Sequence, residues 1–411
     1  MINIKNSTFA RRIYAVDLIL RMLICRRARE TSGHGGSMKK TSLWLVICLI
    51  VSWLETVNVF AATAPNAALL KAKKVAEANG FVFYTDHDEI ISEAKKEGRL
   101  RVVSGFSPET LKVLFSAFRK KYPFIDISAH EITGSTEHQR ILLELKAGTN
   151  KEWDALSMAN DFYNEYGPYQ KKFDILGMSE NGILQIRRNM IDPKNRNVVS
   201  VADIIQIGVT YNKNLIAREK TPETWEDYLK PEFKGKKIMA DPRPTEIAAL
   251  VPAWGLEKTL DFARKFVAQE PVWLSGGSRV AASLLAGEYP MAIGQNYRSI
   301  RRSQLKDKTG TIAYKMLEPI PVRPSESLAI LTTSSRPHAA LLWLEFQAGD
   351  EGQKIMDQVE PFGGSVSAPG STQAQEIKGK KLSLVDWDHY TKLRDYQDKI
   401  VAAYGFPKET K

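Results

Sequence analysis

Between residues 99 and 160 the chain switches from strand to helix signals and back, twice over. "LRVVSGF" (100–106) is a short apolar run that ends in Ser-Gly. "SPETLKVLFSAFRKKYP" (107–123) sets Leu111, Leu114, Phe115, Phe118 and Tyr122 at helical spacing, behind Ser107 as a cap and Pro108 in the first turn. "FIDISAHEI" (124–132) alternates as a strand, "TGSTEHQRILLELKAG" (133–148) is a helix stopped by Gly148, and "WDALSMAN" (153–160) is a third strand. Strands joined through helical crossovers run parallel, so this stretch predicts a mostly parallel sheet with helices on both faces. The pattern restarts at "SVADIIQIGVTYN" (200–212). It continues through a helix in 221–234, the strand "KKIMA", a second helix, the helix "SRVAASLLAG" (278–287), the strand "YPMAIG" (289–294) and the strand-like "VRPSESLAILTTS" (322–334). A helix or helix pair over 338–358, a Gly/Ser/Pro-rich loop at 361–371 and a helical tail close the chain. Its 411 residues exceed one ordinary core, so two lobes are expected.

The N-terminus reads differently. Met38-Lys39-Lys40 precede the apolar run "LWLVICLIVSWL" (43–54), and Val59-Phe60-Ala61 offers a small-residue cleavage site. That order of basic, apolar and small residues predicts a secretory signal peptide over 38–61. The run is shorter than the ~18–20 residues of a membrane-spanning helix. Residues 1–37 are read as a non-native upstream extension, with Met38 as the start. Residues 62–97, beginning the mature chain, are expected as two amphipathic helices broken near Asn79-Gly80.

Removing the leader changes the charge argument. Nine of the 58 Lys and Arg and three of the 47 Asp and Glu lie in residues 1–61, so the net charge falls from +11 to +5. A mild excess spread over a large surface lacks the concentrated basic stripe of a nucleic-acid binder. Both cysteines, Cys25 and Cys48, belong to the leader, which excludes disulfides, Cys nucleophiles and Cys-held metals from the mature chain. Release into a Gram-negative periplasm is expected.

In open α/β sheets, ligands sit beyond the carboxyl ends of the strands. Here those ends are "SGFS" (104–107), "TGST" (133–136), "MAND" (158–161), "DPRPT" (241–245) and "GQNYR" (294–298). Several open into helix N-termini, whose free amides and dipole attract anions. Taken singly, Ser107, Thr136, Thr245 and Asn296 also read as plain helix caps. Five such loops at matching positions point to a cleft. No GxSxG, HExxH or Walker loop is present, and the spacing of His87, Asp88, His130, Glu131 and His138 fits no zinc pattern.

"TWEDYLKPEFKGKKIMADP" (224–242), "LLAGEYPMAI" (284–293), "AALLWLEFQAGDEGQKIM" (339–356) and "IGVTYNKNLI" (207–216) resemble, in order, segments of periplasmic solute-binding proteins of ABC importers, in the branch that includes ferric-iron-binding proteins. The resemblance spans about residues 95–400. It implies the type II periplasmic-binding fold of two α/β lobes joined by crossing strands. Lobe 1 would comprise 98–205 and 320–370 and lobe 2 206–319, with the C-terminal helices of 371–411 packed across both. A small solute, a membrane permease and its ATPase would be the partners, the protein itself a monomer without enzymatic activity or cofactor.

Ferric-binding members place two adjacent tyrosines where this chain has Asn296-Tyr297-Arg298. One phenol beside a guanidinium suits an anion better than a bare cation. The expected site is therefore Phe106, Ser107, Gly134, Ser135, Thr136, Asn160, Arg243, Thr245, Tyr297 and Arg298. Its cargo would be a phosphonate, sugar phosphate or carboxylate, with Tyr297 and Phe106 covering the organic part. Ferric iron held with an anion or chelator, with Tyr297 as ligand, is the alternative. A secreted enzyme or a sensor domain on the same fold is the other.

Overall fold

The computed structural model describes residues 67–132, 135–150, 152–360 and 363–406. The expected extension, the signal peptide, both cysteines and Gly134 lie outside the described residues. Among the described residues ten strands form one sheet: β1 Arg99–Ser104, β2 Asp126–Glu131, β3 Ala155–Met158, β4 Val199–Asn212, β5 Ile238–Ala240, β6 Val272–Trp273, β7 Met291–Asn296, β8 Ile312–Lys315, β9 Ile320–Ile330 and β10 Leu382–Leu384. Their order is β2-β1-β3-β9-β4-β7-β5-β6, with β10 beside β9 and β8 beside β4. Parallel pairing holds among β2, β1 and β3 and among β7, β5 and β6. The centre is antiparallel instead, because β4 and β9 are long strands running in opposite directions. Residues 199–205 of β4 pair with β9, and residues 206–212 pair with β7 and β8. One continuous strand thus serves both halves of the sheet.

Helix Pro108–Lys121 has Ser107 as its N-cap and buries Leu111, Leu114 and Phe118. Phe118 meets Trp343 edge to face at 5.1 Å. Trp343 belongs to helix Pro337–Ala348, whose residues are buried on every side except at His338. A helix apolar all round needs cover all round. Helix Asp350–Val359 follows directly, making the expected pair.

The N-terminal helices are Ala67–Ala78 and His87–Glu97. The second lies along Pro337–Ala348 and is joined to it at both ends by a carboxylate and a histidine. His87 Nε2 meets Glu345 Oε2 at 2.7 Å, and Glu97 Oε1 meets His338 Nδ1 at 2.7 Å. A partly exposed ion pair is worth roughly 0–1 kcal/mol, whereas burying an Ile contributes ~1.5–3. Ile90, fully buried, therefore holds the helix down and His87 adjusts the strength. The bond to Glu345 raises the His87 pKa against the opposing pull of burial; Glu345 and Asp88 charges add to the rise and Lys121 opposes it. A raised folded pKa stabilises fully below the unfolded value and is lost as pH rises through the folded one. The melting-temperature advantage of wild type over His87→Gln should accordingly be larger near about pH 5.5 than near about pH 8.5.

Two segments depart from their sequence patterns. The helix expected within 221–234 consists of two 3₁₀ turns, Glu226–Leu229 and Pro231–Phe233, because Pro231 donates no hydrogen bond and bars Lys230 from helical geometry. A helix at Leu256–Val267, not among the expected elements, buries Phe262, Ala263 and Phe266 against the C-terminal helix Leu393–Tyr404. Asn164 Nδ2 donates to Thr391 O at 3.1 Å, and Lys194 pairs with Asp388 at 2.6 Å, so the same C-terminal segment also touches the first half. Among the described residues no helix is long and apolar enough to cross a membrane.

Candidate functional site

"GQNYR" folds as read: β7 ends at Asn296, whose Oδ1 accepts from the Ser299 amide, and the helix Tyr297–Lys306 begins behind it. The two residues after the cap point differently. Tyr297 is fully buried in an apolar cluster with Ile205, Ile207 and Ala292. Its hydroxyl lies 3.3 Å from that of Tyr314. Burial, followed by the Tyr314 bond, pushes its pKa up, so the side chain is a neutral phenol. The expectation that Tyr297 covers the cargo meets this placement in the core. Arg298 instead reaches across to the loop after β1, where its Cζ stands 5.9 Å from the Phe106 ring. It is 8% exposed, and its Nη1 has no hydrogen-bond partner among the described residues. Burial pulls its pKa down while the charge of Glu326 pushes it back up. Arginine nonetheless stays charged.

The other expected residues divide. Phe106 is buried, with one face toward Arg298. Ser107 is committed to its cap: Oγ accepts from the Thr110 amide at 3.4 Å and lies 3.0 Å from Thr110 Oγ1, which donates to Glu360 at 2.9 Å. Ser135 opens the helix Ser135–Lys146, and Thr136 in its first turn is exposed. Asn160 is half-buried and donates to Asp161 at 2.9 Å. Arg243 is exposed and lies along Asp241, its nitrogens 3.4 Å from the carboxylate. Thr245, read as a possible cap, is the first residue of the turn Thr245–Ala248, capped by Pro244 without a side-chain bond. Its hydroxyl accepts from Gln397 at 2.6 Å. The structure therefore brings Phe106 and Arg298 together and gives Ser107 and Thr245 structural partners. Among the described residues no group of three or more His, Cys, Asp or Glu is placed to hold a metal ion.

The bacterial extracellular solute-binding protein family matches residues 107–354, from the cap of the first sheet helix to the helix Asp350–Val359. This chain belongs to that family. No curated protein matches it. Solved structures similar to this solute-binding protein include the apo ferric ion-binding protein A of Pasteurella haemolytica. Its TM-score is 0.58 at 17% identity, over 76% of this chain and 100% of that one. A Trichodesmium protein (IdiA, FutA) in complex with iron and citrate has a TM-score of 0.56 at 18% identity, over 75% and 100%. Apo FutA2 from Synechocystis PCC6803 has 0.57 at 15%, over 75% and 98%. At these identities the likeness is one of fold. The solute-binding protein has the two-lobed periplasmic-binding architecture.

Charged residues outside the sequence expectation lie around Arg298. Glu326, on β9, is 9% exposed and accepts from the Gly105 amide at 3.1 Å and from Ser157 Oγ at 2.7 Å. Arg323, also on β9, has an Nε without a partner among the described residues. Arg302, one helical turn after Arg298, pairs with Glu360 and so links the helix after β7 to the end of Asp350–Val359. Buried Glu246 has its pKa raised by burial and then by Asp241. The available signal was "VRPSES", a strand that carries charges between apolar ends.

Gly294 makes room for Glu246. Its φ is 64°, and a Cβ there would lie 2.2 Å from Glu246 Cγ. Gly294→Ala should destabilise the protein by about 1–3 kcal/mol through backbone strain and that clash. Gly287→Ala, at φ 73° with nothing within 4 Å, carries the strain alone. Urea denaturation should show the larger loss for Gly294→Ala.

Proposed function

We propose that the protein is the periplasmic solute-capturing component of an ABC importer, which closes its lobes on an anionic small molecule and delivers it to a membrane permease. The observation that carries the ligand class is Arg298. Its guanidinium is buried, it lies over Phe106, and Nη1 has no partner among the described residues. Such a donor left without an acceptor costs free energy that an anion recovers with charge-assisted hydrogen bonds. The proposed lobes are residues 98–205 with 320–370, and residues 206–319, the C-terminal segment bridging them. On that division Phe106 and Arg298 come from opposite lobes, as do Glu360 and Arg302, and closure assembles the site. A binding rather than catalytic role is supported by the family.

Ferric iron is the second reading, favoured by the similar structures, which include a ferric ion-binding protein and a protein in complex with iron and citrate. For this chain an anion-assisted complex fits Arg298, whereas bare iron fits poorly with Tyr297 in the core as a neutral phenol. Thermal-shift and calorimetric titration with phosphonates, sugar phosphates, carboxylates, a ferric salt and ferric citrate tests the proposal. The expected result is stabilisation by an organic anion, with or without iron. Stabilisation by the ferric salt alone, with no response to any anion, would overturn it.

A further inference from the structure

Arg298 and Glu326 are oppositely charged, more than nine-tenths buried and close to one another, yet they do not touch. They flank one peptide. The Phe106 ring is 5.9 Å from Arg298 Cζ, and the Gly105 amide donates to Glu326 Oε2 at 3.1 Å. Ser157 Oγ donates to the same oxygen at 2.7 Å. Oε1 accepts no hydrogen bond, and no ion pair joins the two side chains, among the described residues.

Buried opposite charges ordinarily collapse onto each other, because each has lost its water and the attraction is weakly screened. Here the backbone holds one of them back. Glu326 has φ 49°, a left-handed conformation that a glutamate adopts only where its surroundings impose it. The β4–β9 ladder pairs Ser200 with Ser327 and Ala202 with Ser325, without a pairing of Val201 and Glu326. Gln353 Nε2 takes the Val201 carbonyl at 2.8 Å. Gly105 lets the carboxylate approach its loop, since a Cβ there would stand 2.3 Å from Glu326 Oε1. The carboxylate is thus fixed beside Arg298 with one oxygen committed to lobe 1 and the other unused.

We infer that the transported solute is a small zwitterion, whose anionic group docks on Arg298 and whose ammonium group docks on Glu326 Oε1. A guanidinium nitrogen without an acceptor and a carboxylate oxygen without a donor are complementary to the two ends of one zwitterion. A plain anion would engage Arg298 and leave Glu326 Oε1 without a donor, and so bind more weakly. The inference rests on the reading of Arg298 as an anion site, and deepens it.

Calorimetry with matched probes tests it: aminomethylphosphonate against methylphosphonate, 3-aminopropionate against propionate, and 4-aminobutyrate against butyrate. Wild type should bind the ammonium-bearing member of at least one pair about tenfold or more tighter than its plain partner. Glu326→Gln, which keeps an acceptor for Gly105 and Ser157, should remove most of that preference while melting near wild type. Equal binding of both members, or a preference for the plain anion, overturns the zwitterion and leaves the anion reading standing. A preference that persists undiminished in folded Glu326→Gln overturns the role of Glu326. Binding of ferric salt with no response to any probe overturns both readings.

Discussion

Arg298→Ala is expected to weaken an anionic ligand by about 2–5 kcal/mol, on the order of 30- to 5,000-fold in Kd. The effect is large because the cost of burying the guanidinium is already met in the folded protein. An arriving anion finds a dry, oriented donor and spends little on reorganisation. The free protein should respond in the other direction. A buried charge with an unpartnered nitrogen contributes little to stability, so unliganded Arg298→Ala should melt close to wild type. At ligand a hundredfold above the wild-type Kd, wild type gains about 2.7 kcal/mol and the variant about 0.9 kcal/mol or less. Arg298→Lys keeps the charge and loses the two-pronged geometry, so it should fall between them. Unchanged affinity in Arg298→Ala would remove the anion site from this helix terminus.

Asp154→Ala is expected to cost about 3–5 kcal/mol of stability, without touching the cleft. Asp154 is fully buried and accepts three bonds of 2.8 Å, from the Arg101 amide, Ser334 Oγ and Arg336 Nε. It joins β1 to the segment that leads out of β9. Truncation strands Arg336, which is 7% exposed, and leaves the amide and hydroxyl without their acceptor. Asp154→Asn keeps an acceptor but not the charge, and its loss should be smaller. Urea midpoints measure both. A loss under about 1 kcal/mol for Asp154→Ala would mean that Arg336 reaches water once released.

Much of the fold was legible locally. Ser107-Pro108 and Asn296 announce helix starts, and each caps as its residue type dictates. The alternation from 99 to 160 became β1, β2 and β3 with their two helices. Pro231 apart, what misled was a longer-range term. "TWEDYLKPEF" has helical spacing, but Pro231 leaves it as two 3₁₀ turns. "VRPSESLAI" reads as one more strand of a parallel sheet, yet β9 runs against both β3 and β4, since it must cross between the halves. Thr245 has the composition of a cap and spends its hydroxyl on Gln397, 152 residues away.

The candidate site divides along the same line. The sequence by itself determined that "GQNYR" ends a strand, opens a helix and puts a phenol and a guanidinium side by side. It could not decide which of the two meets the loop after β1. Neighbouring residues on a helix point roughly 100° apart, so a single turn aims one inward and the next outward. Packing against Tyr314 and the β4 side chains turned Tyr297 into the core and Arg298 toward Phe106. Only the tertiary structure placed Glu326 there as well, because residues 105, 298 and 326 share no periodicity. They meet where a left-handed glutamate on a crossing strand comes against a glycine that leaves it space.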